Sequence, residues 1–577
     1  MEDPATPLAL LRAGADSYGP FLGADGELRD PVFGEPTQYG TPYHAFCRAV
    51  LALRRPDPSD LPAARDGLRT ALRHLRNPGE PPRASSFQRA DGTTGAGNHR
   101  DFFWPPVVRA HRILALLGDP ETAERTAVVR AVDIEAAFAA RPPSNWSAVW
   151  LSGEGLRRAA GLSPVADARF EAWLGTFFES GRILLDEGFY QEPGHPNSYD
   201  LFTRLHLADL LADGYGGPWR EALEELLRAG LRRSLAVQLS DGSLAAAHRS
   251  SGQSWNDGAQ CAYFATAAAL LGASDPDLAG RAEDAAWRAF DSLGRWRRPD
   301  GPFSPVYNVL PPDWRVGYEA YTADAHYANL ALAFLAAAIQ RGLGDRPRPP
   351  AAPREAAAFV EADPTWRALV HSGPYSAHVN AFPAAHYDAF GLTEVTFGAG
   401  RRLHFGPTVR CLADAGFLNL GLATRRQAGR SPLRVLAREP LRPCAPIAAG
   451  PAPGAVRLSA RCPGDVGLYE IAVAAGPAGV EVAERVHGHD GFSTLLVPYL
   501  LDAGDGRRTE VEVGGEAATW VHLRSGAERL RLEVDAPRAQ VTHLRHGFEN
   551  RRGLCGLLRL DLDGRRDGVR YRLVVEA

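Results

Sequence analysis

Residues 186–211, DEGFYQEPGHPNSYDLFTRLHLADLL, place Asp186, Glu187, Tyr190, Gln191, Glu192, His195, Asn197 and Tyr199 between two helical patterns. So many titratable groups are costly to bury without a use. His195 and Tyr199 straddle the start of the second helix, close enough to act on one substrate atom. Tyr199 with a lowered pKa abstracts a proton, and His195 shares that role or polarises a leaving group. A local use competes: Asn197 or Ser198 caps the helix and His195 packs on the turn. Arg204 and His206 lie farther along, and His206 reads as a structural histidine.

Three further places combine aromatic and polar side chains just ahead of helical patterns. GNHRDFFWPP holds Asn98, His99, Arg100, Asp101 and Trp104, of which Asp101 is also a natural helix cap. PPSNWSAVW starts a helix with Asn145 and Trp146; Asn is a preferred cap, and Trp146 with Trp150 has the spacing of a packing pair. The last is split between HRSSGQSWNDGAQCAYF, with His248, Arg249, Gln253, Trp255, Asn256 and Asp257, and a stretch carrying Trp314, Arg315, Tyr318, Glu319, Tyr321, Asp324 and His326. An aromatic face covers the apolar side of a pyranose ring, and amide, guanidinium and carboxylate groups reach its hydroxyls. The expected binding set is Asn98, His99, Arg100, Trp104, Trp146, Tyr190, Arg249, Trp255, Asn256, Arg315, Tyr318, Tyr321 and His326. The expected partner is therefore a poly- or oligosaccharide.

The elements that must position these loops change character along the chain. From about residue 40 to 345, apolar residues recur at helical spacing between Pro/Gly/Asp turns, and loops this polar are common at functional rims. A proline-rich hinge, GLGDRPRPPAAPR, follows, with a helix expected over Glu355 to His371. Beyond it, short alternating segments such as Gly479 to Val486 and Val569 to Val575, bounded by Gly, Asp and Pro, predict antiparallel sheets. The expected domains are 1–345 helical, 346–375 linker and helix, and 376–577 β-sandwich, an α+β multidomain chain.

Composition excludes several classes. The 577 residues carry a formal charge of −4, which gives no general attraction to nucleic acid. All 64 basic side chains are arginine, as a GC-rich bacterial genome would encode. The six cysteines show no CxxC spacing for zinc, and the His487–His489 pair beside Asp490 reads better as a polar turn than as a metal site. No metal or other cofactor is expected. No apolar run reaches the roughly 20 residues of a membrane span. The N-terminus has acidic residues where a secretory signal carries basic ones, so a cytoplasmic protein is expected.

A helical half followed by a β-half, with an Asn-Trp helix start at SNW and an acidic, aromatic His/Tyr loop at GFYQEPGHPNSY, resembles the (α/α) toroid polysaccharide lyases, the heparinase II/III-like and alginate-lyase-like groups among them. The resemblance implies a toroid, incomplete or of six hairpins, and cleavage by β-elimination. It implies that Asn145 neutralises a uronate carboxylate, that His195 and Tyr199 act as base and acid, and that Arg100, Arg204, Arg249 or Arg315 binds carboxylate groups. Asp186, Glu187 and Glu192 depart from that pattern, because like charge repels an anionic sugar. They favour a rival on the same scaffold, an inverting glycoside hydrolase, which needs carboxyl groups about 6.5–9.5 Å apart. Glu192 would be its acid, with Asp324, Asp257 or Asp101 as base. A third reading, from another class, is a glycan-binding module without chemistry.

Overall fold

The computed structural model describes residues 6–36, 39–76, 99–299, 301–319, 321–350, 354–361, 367–382, 389–398, 404–405, 419–427, 433–436, 441–462, 467–515, 517, 519–564 and 566–576. The chain divides into two compact units: residues 1–235, 253–305 and 318–350 form one, and residues 236–252, 306–317 and 351–577 the other.

The first unit is built of helices: α1 Pro7–Ser17, α2 Gly40–Arg54, α3 Asp60–Arg76, α4 Trp104–Leu116, α5 Thr122–Ala131, α6 Ile134–Ala137, α7 Asn145–Ala159, α8 Asp167–Glu179, α9 Asn197–Ala212, α10 Arg220–Val237, α11 Trp255–Leu271, α12 Pro276–Gly294 and α13 Asp324–Gln340. Six of them, α2, α4, α7, α9, α11 and α13, each pack on the next, and α13 returns to α2, so the ring closes. The intervening helices lie outside it, α3 against α2 and α12 against α11. This is an (α/α) toroid of six hairpins.

Sequence explains which helices go inside. α11 (WNDGAQCAYFATAAALL) and α13 (DAHYANLALAFLAAAIQ) are apolar on nearly every side and are buried along most of their length, as inner helices flanked by neighbours must be. α3 and α12 are amphipathic and bury one stripe. Two glycines set the closest approaches: a Cβ on Gly153 of α7 would come within 2.8 Å of the Pro105 nitrogen on α4, and one on Gly258 of α11 within 2.5 Å of the Ala331 carbonyl on α13. Alanine at either would overpack the ring, at a cost of about 1–3 kcal/mol.

Among the described residues the second unit contains three antiparallel sheets. A nine-stranded sheet runs from Arg442–Pro443 to Glu510–Gly514, with Gly479–Val486 and Gly568–Glu576 at its centre. One five-stranded sheet is centred on Phe492–Asp502; the other is a meander from Ala357–Val360 through Tyr375–Asn380 to His404–Phe405. Their inner faces share one core, in which Val370, Ala377, Val395, Val482, Leu495 and Leu558 are all buried.

The described residues of 355–371, where a helix is expected, hold strands instead. Ala357–Val360 pairs with Arg367–Ser372 in an antiparallel ladder, Ala357 opposite His371. Alternation of Ala368 and Val370 into the core with Leu369 and His371 on the other face overrides the helical propensity of the alanine run. Helix α8 stops at Glu179 before Gly181, which has φ +72°, and α5 ends at Ala131 ahead of Asp133, which caps α6.

Candidate active site

Within the first unit, the segments carrying the candidate residues meet where the six inner helices begin. Asn145 is the first residue of α7, Trp255 of α11 and Asp324 of α13, while Tyr39 immediately precedes α2 and Phe102 lies in the 3-10 turn ahead of α4. Ring contacts join them. Tyr39 stacks on Phe102 at 5.0 Å and touches His326 at 4.4 Å. Phe102 meets Trp146 at 5.7 Å and Phe202 at 5.8 Å. Tyr199 lies 6.0 Å from Trp255, and Tyr321 lies 6.1 Å from Tyr327. Inner-helix N-termini gathered at one end add their partial positive charges, which favours an anion there.

The polar centre is a three-residue group. Asn145 Nδ2 donates to Glu192 Oε1 at 2.8 Å, and the Tyr190 hydroxyl donates to Glu192 Oε2 at 3.2 Å. Burial first, then the Glu192 charge, pushes the Tyr190 phenol well above its ordinary value. Ser144 and Ser147 form a capping box that fixes the start of α7, leaving the Asn145 side chain free of capping duty. His195 belongs to the same turn as Glu192: its N–H donates to the Glu192 carbonyl at 2.8 Å. The His195 backbone has φ +51°, a left-handed conformation costly for a side chain with a Cβ and often found at functional sites. His195, Tyr199, Trp146 and Tyr321 are half-buried. Burial, together with Tyr199 and Glu319, pushes the Tyr321 phenol well up, and Glu319 shares a hydrogen bond with it.

Several candidates are placed otherwise than the sequence suggests. Trp104 is a core residue: it is fully buried, its indole N–H meets Glu154 at 3.3 Å, and the Arg157 guanidinium lies 5.1 Å over its ring. Helix α4 starts at Trp104 itself, so its ring turns into the wall. Arg204 is held by Asp200 at 2.7 Å and is not available for a carboxylate from outside. Asp324 pairs with Arg298 and accepts the Tyr318 hydroxyl at 2.8 Å, so Tyr318 braces that pair. Asp257 accepts from Ser292 at 2.9 Å and Trp296 at 3.2 Å. Asp101 accepts the Ala140 N–H at 2.9 Å, and burial raises its pKa to about 6. Trp255, Asn256, His326 and Arg100 are buried, and Trp255 donates to Gln253 at 2.8 Å. Burial pushes the Arg100 guanidinium down. His206 is buried, meets Ser152 at 3.1 Å and is held neutral, with a pKa lowered to about 3 by burial and Arg109.

Arg249 and Arg315 are carried by the segments that belong to the second unit, Arg249 between His248 (φ +61°) and Ser250 (φ +61°), and Arg315 at φ +53°. Asn98 lies outside the described residues, as does the side chain of His99. Tyr39, Phe102, Phe202 and Tyr327 were not expected. Tyr39 in QYGTPYHAF has the same aromatic, loop-to-helix setting as the other four places, and that was the available signal.

Among the described residues no group of three or more His, Cys, Asp or Glu could hold a metal ion. His487 follows the strand ending at Val486 and pairs with Glu470. No described helix is long and apolar enough to cross a membrane.

No protein-family model matches the chain, and no curated protein matches it. Solved structures do. The chain is 14% identical to the Streptomyces coelicolor A3 chondroitin AC lyase, solved with chondroitin sulphate, at a TM-score of 0.52 over 100% of this chain and 81% of that one. Heparinase III is 10% identical at a TM-score of 0.47 over 100% and 85% of the two chains. The GH76A α-1,6-mannanase of a Salegentibacter species is 13% identical at a TM-score of 0.39 over 58% and 99%. The likeness to the chondroitin lyase is one of fold: the chain shares the architecture of the (α/α) toroid polysaccharide lyases, a helical toroid followed by antiparallel sheets.

Proposed function

We propose that the chain is a carbohydrate-active enzyme that cleaves a uronate-containing poly- or oligosaccharide by β-elimination, with Tyr199 and His195 as its acid–base pair. In that reaction a base takes the C5 proton, the freed pair forms the C4–C5 double bond, and the C4–oxygen bond breaks. The departing oxygen then takes a proton. The observation that carries this reading is that half-buried His195 shares a turn with Glu192, whose carboxylate accepts from Asn145, while half-buried Tyr199 lies 6.0 Å from Trp255 where the inner helices begin among rings that suit a sugar. The partial positive charge of those helix starts suits the anion that develops at C5 and C6. Against the paired-carboxylate reading stands the engagement of Asp324 and Asp257 by Arg298, Ser292 and Trp296.

Hydrolysis remains a second reading on one specific observation: Glu319, hydrogen-bonded to Tyr321 near Tyr199, offers a carboxylate to work with Glu192. The two chemistries part on product. Incubation with polyuronates produces a conjugated double bond and ultraviolet absorbance under elimination, and reducing ends without absorbance under hydrolysis. Absence of turnover with retained glycan binding would point instead to a binding module.

A further inference from the structure

We propose that Gln253 is a positioning residue for Tyr199, its buried amide fixing two neighbours of that phenol, the Trp255 ring and the segment that carries Tyr321. The inference rests on the elimination reading, since it concerns a residue to which that reading gives a proton transfer.

Gln253 lies two residues ahead of α11, in the first unit, and is fully buried, so its amide serves the protein itself. Oε1 accepts the Trp255 indole N–H at 2.8 Å, and one N–H of Nε2 donates to Thr322 Oγ1 at 3.0 Å. The orientation is forced, because an indole N–H only donates and requires the carbonyl end of the amide. One side chain therefore joins the start of α11 to the stretch just ahead of α13.

Both ends lead to Tyr199. The Trp255 ring is buried and lies 6.0 Å from the Tyr199 ring and 5.5 Å from that of Phe202. With its N–H pinned, the indole keeps one orientation, and Tyr199 packs beside a fixed surface. At the other end, Thr322 directly follows Tyr321, and its own N–H donates to the Glu319 carbonyl at 2.9 Å. Burial, and next the Tyr199 phenol, push the Tyr321 pKa up, so the two phenols are close neighbours. A proton transfer needs the Tyr199 hydroxyl within about 2.6–3.2 Å of the atom it serves. A misplacement of about 1 Å costs about 10²-fold in rate. Gln253 supplies that constraint without touching the substrate.

The test uses the full chain with polygalacturonate, alginate and hyaluronan as substrates and ultraviolet absorbance as readout. Q253L keeps the bulk and removes both hydrogen bonds. On the accepted polyuronate it lowers kcat by about 10–100-fold and leaves KM within about threefold. Q253E is the rescue. A buried carboxyl favours its neutral form, which offers Trp255 a carbonyl and Thr322 an O–H, the pattern of the amide. Relative to the unmodified chain, its kcat recovers as pH falls toward the carboxyl range and drops as pH rises; a merely structural glutamine shifts the melting temperature and leaves kcat per folded molecule unmoved. Should Q253L fail to fold, T322V, which deletes the acceptor at one end, takes its place, with a kcat about tenfold lower. An unchanged kcat, a loss carried by KM alone, or a Q253E that tracks Q253L at every pH overturns the inference and leaves elimination standing. Absorbance from no polyuronate with the unmodified chain overturns the elimination reading and this inference with it.

Discussion

The Asp200 carboxylate accepts the Tyr190 backbone N–H at 2.9 Å on the same oxygen that accepts Arg204 Nε at 2.8 Å. Its other oxygen receives Arg204 Nη2 at 2.7 Å and Arg233 Nε at 3.2 Å, and Arg204 reaches on to the Gly230 carbonyl at 2.8 Å. One buried carboxylate thus ties the strand that carries Tyr190, and the turn with Glu192 and His195 just beyond it, to α9 and α10. Burial pushes the Asp200 pKa up, but the two guanidiniums outweigh it and hold it below the ordinary value. Its stabilisation is accordingly present above the usual aspartate range and is lost as pH falls through the lowered value.

Asp200→Ala leaves two guanidiniums buried without their counter-charge, which costs about 3–5 kcal/mol. Urea unfolding should show that loss, and glycan binding should weaken with it because the loop is released. An unchanged unfolding midpoint would refute the role given to this cluster.

Tyr199→Phe removes one hydroxyl from a half-buried ring and should lower turnover by about 10²–10⁴-fold while substrate affinity holds. His195→Gly makes a sharper case. It deletes the ring and also relieves a left-handed backbone that costs on the order of 1–3 kcal/mol. Melting temperature should stay level or rise as turnover disappears. A variant that loses stability together with activity would show that His195 serves the turn and not the reaction.

Period and punctuation make the helical half legible, and in the β-half the alternating segment Gly479–Val486 coincides with its strand. Local pattern fails where pairing decides, as at Ala357–Val360, where an alanine-rich run forms a strand because Arg367–Ser372 supplies the ladder. The polar loops were legible as a set, since each precedes an inner helix and those helices start at one end. Direction of individual side chains was not. Nothing in GNHRDFFWPP says that Phe102 faces Tyr39 and Trp146 while Trp104 turns to Glu154, because that depends on which residue of the 3-10 turn begins the helix. Nor does spacing show that Asp324 pairs with Arg298, that Asp257 accepts from Ser292 and Trp296, or that Arg204 pairs with Asp200 one turn earlier on its own helix.

The two tryptophans separate these outcomes experimentally. Trp104→Ala empties a fully enclosed volume and should cost about 3–5 kcal/mol in unfolding free energy. Trp146→Ala, at a half-buried ring, should cost clearly less and raise KM for an oligosaccharide, since stacking against a sugar face is lost. Equal stability losses with unchanged KM would place Trp146 in the core as well.

Glu484 carries the last prediction, on the β-unit. It is fully buried and accepts the Tyr469 hydroxyl at 2.8 Å, the Tyr571 hydroxyl at 3.0 Å and the Leu422 N–H at 3.0 Å, joining the nine-stranded sheet to the strand Gly421–Arg425. Burial raises its pKa, and the three donors only partly oppose that. The sign follows from proton counts. Between the ordinary glutamate value of about 4.3 and the raised folded value, the folded chain binds more protons than the unfolded one, so stability falls as pH rises across that window. Glu484→Gln cannot ionise and should flatten this part of the melting-temperature profile. It also turns an amide N–H toward a donor, so a moderate loss below the window is expected along with the flat slope. If unmodified chain and variant instead lose stability in parallel as pH rises, Glu484 is ionised in the folded core without penalty, and its three donors supply more stabilisation than its burial removes.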